Sequence, residues 1–179
     1  MAEDYEEPDF DIISSQSGFE VRLYADTIQA RVKTMGKDWR GSSGGFRRIA
    51  GYIFGRNHRK QMIDMTAPVH IWQEGDGTMM AFTMPSDLSM EDLPAPNDEG
   101  IELIHSKGQT VAALPFSGFS GPRKSERLKR RLQNLVEEAG LVSSGPPMLA
   151  VYDDPTSTLP FMRRNEILIP LEGPNPKED

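Results

Sequence analysis

Three histidines, His58, His70 and His105, are the side chains of this sequence best suited to hold a transition metal. A neutral imidazole nitrogen binds iron or zinc near neutral pH. Their spacing matches no metal motif such as two histidines one helical turn apart, so each also reads as a surface or structural histidine. His58 is the metal-ligand candidate, because a loop just past a helix can approach a ligand; its neighbours Arg56, Arg59 and Lys60 also suit a solvated loop. Five of the ten methionines, Met62, Met65, Met79, Met80 and Met84, fall in one predicted strand pair. Thioethers either fill a core or line a permissive pocket for a flat ligand.

Six cations (Arg123, Lys124, Arg127, Lys129, Arg130, Arg131) open a predicted helix that Glu137 and Glu138 close. Both ends oppose the helix macrodipole. The run therefore reads as an anion site for carboxylates, or as a solvated face supported by a Glu126–Arg130 pair. Arg163, Arg164, Asn165 and Glu166 enter the last strand, where two guanidiniums and a carboxylate can form a buried latch or face a ligand. Glu166 and Asp64 are the acids an enzyme of this kind would use as a base. Residues 41–45 formally satisfy G-x-S-x-G, but inside a Gly/Ser patch rather than a strand-to-helix elbow. No P-loop or dinucleotide fingerprint is present, and no residue is assigned a catalytic role.

With 179 residues the chain fits one domain. A net charge of −7 opposes binding to a phosphate backbone, so nucleic acid is not an expected partner. The absence of cysteine excludes disulfides, zinc–thiolate sites and thioether-linked haem. No apolar run approaches the ~18 residues of a membrane span, and the acidic start does not resemble a signal peptide. A cytoplasmic or already processed protein is expected.

Residues 1–17 and 173–179 read as tails flanking a domain over 18–172. Phe19, Val21 and Leu23, then Ile28, Ala30 and Val32, alternate with polar residues and predict two strands, expected to form a hairpin. Phe46, Ile49, Ala50, Ile53 and Phe54 keep a helical spacing after the Gly/Ser patch. Apolar stretches at 62–72 and 79–84 flank the turn residues Glu74, Gly75, Asp76 and Gly77, with Pro68 predicting a bulge or an edge. The second half repeats this order. Strands are predicted at 101–105 and 111–116, a helix from Pro122 with Leu128, Leu132, Leu135 and Val136 on one stripe, and strands at 148–152 and 166–171. The fold class is α+β: duplicated ββαββ units, a curved, mainly antiparallel barrel-like sheet and two helices. The stretch 85–98 is the crossover between the repeats.

Several segments, in order along the chain, resemble the SOUL haem-binding family: residues 19–24 (FEVRLY), 45–57 (GFRRIAGYIFGRN), 65–69 (MTAPV), 82–85 (FTMP) and 163–166 (RRNE). The resemblance implies a sheet similar to the ligand-sensing domains of bacterial multidrug regulators. It also implies a tetrapyrrole at an apolar groove between the first helix and the loop before the last strand. The matching positions are Phe46, Ile49, Ala50 and Ile53, with Tyr152, Pro155, Pro160 and Phe161 opposite. Where some haem-binding members carry Arg and Met on that helix, this chain has Ser43, Phe46 and Ala50.

The expected function is reversible, non-covalent binding of haem or another porphyrin, for transport, buffering or sensing, with a small-molecule tetrapyrrole as partner. The alternatives are a metal-free module for amphipathic small molecules and a hydrolase working in the same cleft.

Overall fold

Alternating runs become strands and the two 3.6-periodic runs become helices. The computed structural model describes residues 5–36, 43–152 and 163–173. In chain order these form β1 (Phe10–Gln16), β2 (Phe19–Tyr24), β3 (Thr27–Met35), α1 (Ser43–Ile53), β4 (Val69–Glu74), β5 (Gly77–Thr83), β6 (Ile101–Ser106), β7 (Thr110–Ser117), α2 (Pro122–Glu138), β8 (Met148–Val151) and β9 (Arg164–Pro170). One sheet holds them in the order β1-β2-β7-β9-β8-β4-β5-β3-β6, every neighbouring pair antiparallel.

The order shows the duplication. β4, β5 and β3 form one half and β8, β9 and β7 the other, meeting at β4–β8. The first strand of each unit crosses over: β2 adds to the second half beside β7, and β6 to the first half beside β3. The expected β2–β3 hairpin does not form, because alternation fixes which face a residue takes but not which strand pairs with it. Residues 10–16, expected in a tail, form an edge strand on β2. Pro68 ends the 62–72 stretch as a strand, and β4 begins after it, since proline has no N–H for a central ladder. The β4–β5 hairpin forms as expected, with Gly75 at φ +63° in its turn.

Both helices lie on one face of the sheet, α1 against β3 and β5, α2 against β7 and β9. The main core between them joins Ile49, Tyr52 and Ile53 of α1 and Leu128, Leu132 and Val136 of α2 to Val32, Phe82, Leu114, Ile167 and Ile169. Helix α1 starts inside the Gly/Ser patch rather than after it. A Cβ on Gly45 would stand 2.8 Å from Met80 Sδ and 3.0 Å from Thr34 Cγ2, so glycine allows the helix to sit close on the sheet. A second, smaller core on the opposite face joins Val111, Ala113, Ala150, Tyr152 and Leu168, with Tyr5, Tyr24 and Met148 packed against it.

Candidate functional site

The strand pleat places every second residue on the face without helices, and there it gathers polar groups from distant segments. Arg22 of β2 and Glu166 of β9 form a buried ion pair, Nη2 to Oε2 at 2.6 Å. Arg22 also donates to the Tyr24 hydroxyl at 3.0 Å and meets Glu20 at 3.1 Å. The Tyr152 hydroxyl donates to the other oxygen of Glu166. Burial opposes the Arg22 charge, but the hydrogen bond and charge of Glu166 outweigh it and hold Arg22 firmly protonated. Burial and the adjacent Glu166 charge push the Tyr152 phenol well above its ordinary range.

A latch at Glu166 therefore exists, but its cation is Arg22. Arg164 meets Glu7 at 2.7 Å and covers the Tyr152 ring, Arg163 lies over Phe119, and Asn165 is buried and donates to Gly118 O. Residues of one strand alternate faces, so neighbours in RRNE cannot all reach one carboxylate.

Beside this network lies a pocket of about 240 Å³ lined by residues that include Gln29, Arg31, His70, Trp72, Thr83, Val111, Met148 and Leu168. His70 is buried because β4 is central, between β5 and β8. Its Nδ1 and the Thr83 hydroxyl have no hydrogen-bond partner among the described residues. Burial, then repulsion from Arg31, hold the imidazole down at about 4, so it is neutral at pH 7. Arg31 bonds Gln29 Oε1 at 3.0 Å and lies 5.4 Å over the Trp72 ring.

The second surface is the outer side of α1. Phe46 is 45% exposed and Phe54 54% exposed, with the half-buried Ala50 between them at four-residue spacing. Met62, 65% exposed, bridges to Phe54. Arg47 is exposed, and Arg56 folds back onto the helix: a Cβ on Gly51 would stand 3.0 Å from Arg56 Cδ. Neither arginine has an ion-pair partner among the described residues.

The loop after α1 is pinned rather than free. Asn57 donates to Tyr52 O and Gln61 O and accepts from the Arg59 and Gln61 amides. The crossover 85–98 holds the same region through Arg48–Asp98 at 2.6 Å, the Tyr52 hydroxyl on Pro94 O, and the His58 amide on Ala95 O. Arg48 lowers the Asp98 carboxyl to about 2.

The structure divides the expected site residues. Phe46 and Ala50 reach the outer side of α1, whereas Ile49 and Ile53 are wholly buried beneath it. Tyr152 lies on the opposite face of the sheet with Glu166, so it does not wall a groove with α1. Pro155, Pro160 and Phe161 lie outside the described residues. His58 and His105 are exposed, and the described residues contain no cluster of three or more potential metal ligands.

The basic run lies on α2, which packs over β7 and β9, the other half of the sheet from α1. Its expected Glu126–Arg130 pair is replaced by Glu126–Lys129 at 3.4 Å. Met80 and Met84 fill the core, while Met62 is exposed. Sequence reasoning missed Arg22 and Arg31; strand alternation alone could have placed Arg22, Arg31 and His70 on one type of face.

The match to the family model described as SOUL heme-binding protein extends over residues 5–170. The chain belongs to the SOUL haem-binding family. It is 27% identical over 166 residues to heme-binding protein 2 of Mus musculus, covering 88% of this chain and 80% of the relative. Among solved structures, the fold matches the C-terminal domain of EcmrR at a TM-score of 0.64 and 13% identity, covering 86% of this chain and 98% of that one. It also matches a hydrolase from Listeria innocua at a TM-score of 0.59 and 12% identity, over 89% and 94% of the two chains. The family model begins at Tyr5, so the segment before β1 belongs with the family domain, and the fold is the curled α+β half-barrel that the duplicated pattern predicts. No described helix is long and apolar enough to cross a membrane.

Proposed function

We propose that this protein binds haem reversibly and non-covalently on the outer side of α1. The supporting observation is the exposed apolar stripe Phe46, Ala50, Phe54 and Met62 with Arg47 and Arg56 beside it. A porphyrin needs a flat apolar contact and cations for its propionates, and this surface offers both. The pocket on the other face, at about 240 Å³, is below the roughly 300–1,000 Å³ that enclose a drug-sized ligand, so it does not fit a tetrapyrrole. The sequence has no cysteine for a thioether link, which supports the non-covalent reading. Haem would supply iron chemistry only when bound; the protein's part is to hold the macrocycle and its carboxylates. His58 is the candidate axial ligand, in the loop that joins Phe54 to Met62.

Binding is the function proposed here, rather than catalysis. Glu166, the acid best placed in the sequence to act as a base, has both oxygens engaged, one by Arg22 and one by Tyr152.

The test is a haem titration followed in the Soret region, repeated with iron-free protoporphyrin. Saturable binding in the micromolar range, weakened about tenfold or more by Phe54→Asp or Met62→Asp through a charge placed in an apolar contact, is the expected result. Equal affinity for the two tetrapyrroles would assign binding to packing alone, and weakening in His58→Ala to iron ligation. No saturable change, or binding indifferent to both charged variants, would overturn the proposal.

A further inference from the structure

We infer that the pocket on the helix-free face is a second ligand site, and that it takes a small organic anion, a short aromatic carboxylate in chemical class. The proposal is independent of the haem reading, because the pocket and α1 lie on opposite faces of the sheet. Two features of the pocket point to a further polar partner: the His70 Nδ1 and the Thr83 hydroxyl are both buried without one among the described residues. Native structures rarely leave such atoms unmet unless a ligand or water completes them.

The charge of the ligand follows from what lines the cavity. In a protein of net charge −7, the charged side chains around this pocket are Arg31 and Lys107, and no described carboxylate lines it. Glu166, the buried acid of this face, is neutralised by Arg22 at 2.6 Å. Among the described residues Arg31 has no carboxylate in ion-pair contact; Glu74 and Glu102 act on it only at longer range, and burial still lowers its proton affinity. A half-buried guanidinium held in this way gains from an anion that reaches it. Glu6, Glu7, Asp9 and Asp26 line the neighbouring groove, where Glu6 is bound by the Ser86 amide at 2.8 Å and Glu7 by Arg164 at 2.7 Å.

Size and shape specify the rest of the ligand. Arg31 on β3, Ala81 on β5, His70 on β4 and Ala150 on β8 form one row across the sheet, so small residues alternate with the functional ones. Trp72, Val111, Met148 and Leu168 supply the apolar wall. A carboxylate placed among Arg31, His70 and Thr83 leaves its ring against Trp72, and the volume excludes a body much larger than one or two rings.

Fluorine NMR of 4-fluorobenzoate, 4-fluorobenzamidine and 4-fluorobenzyl alcohol tests the inference on the full chain. The carboxylate is expected to saturate in the millimolar range or below, about tenfold or more tighter than the amidine, and to lose that advantage in Arg31→Gln. The exposed Lys107→Gln gives a smaller loss and serves as the reading should Arg31→Gln fail to fold. Phe54→Asp should leave carboxylate binding unchanged, which separates this site from the haem surface. The midpoint of the His70 imidazole proton shifts should rise when the carboxylate is bound. Amidine binding as tight as the carboxylate, carboxylate binding indifferent to both pocket variants, or no saturation with any of the three would overturn the inference.

Discussion

Protonation of His70 should set much of the acid stability of this fold. In the folded protein burial and Arg31 hold the imidazole down to about 4, against 6.5 for a free histidine. Between those values the unfolded chain takes up a proton that the folded chain refuses, so stability falls as pH drops through that window. At pH 4.5 the two midpoints correspond to a loss of about 2–3 kcal/mol relative to pH 7.5 from this residue alone. That is a large share of the ~5–15 kcal/mol of a typical domain. The assay is urea denaturation at both pH values, for the native chain and for His70→Gln, in piperazine buffer so that no organic anion occupies the pocket. His70→Gln should lose about 2–3 kcal/mol less than the native chain over this range, because glutamine does not titrate. Equal losses in the two proteins would refute the reasoning, since His70 would then titrate alike folded and unfolded.

Three further outcomes follow from the packing and ion pairs. Arg22→Met should cost about 3–5 kcal/mol by leaving Glu166 charged and buried, and adding Glu166→Leu should recover most of it, both read by urea denaturation. Leu132→Ala, at a wholly buried position of α2, should cost about 2–5 kcal/mol and lower the thermal midpoint. Asp98→Asn removes a carboxyl lowered by Arg48 from 3.8 to about 2; because both side chains are about a third exposed, the cost at pH 7 should be only about 1 kcal/mol. That difference should vanish below pH 2, as the native carboxyl is protonated, when the acid limbs of the two proteins are compared.

The sequence alone determined the features that depend on near neighbours. Alternation in residues 19–24 and 28–33 specified strands, the spacing of Ile49 and Ile53 and of Leu128, Leu132 and Val136 specified buried helix stripes, and Glu74 to Gly77 specified a hairpin turn. The repeat of that order specified the duplicated α+β fold, and the short segments around α1 and the last strand specified the family. Tertiary structure decided what depends on partners far along the chain. It paired β2 with β7 rather than β3, turned Tyr152 away from α1, and gave Glu166 to Arg22 instead of the adjacent arginines. It also closed a pocket around His70 and Arg31, two residues from separate strands that face the same side only because β5 lies between them in register. The physical reason is that a period of two or 3.6 residues fixes the direction of a side chain within its own element. Which charges and cavities it then meets depends on strand order, which no local pattern encodes.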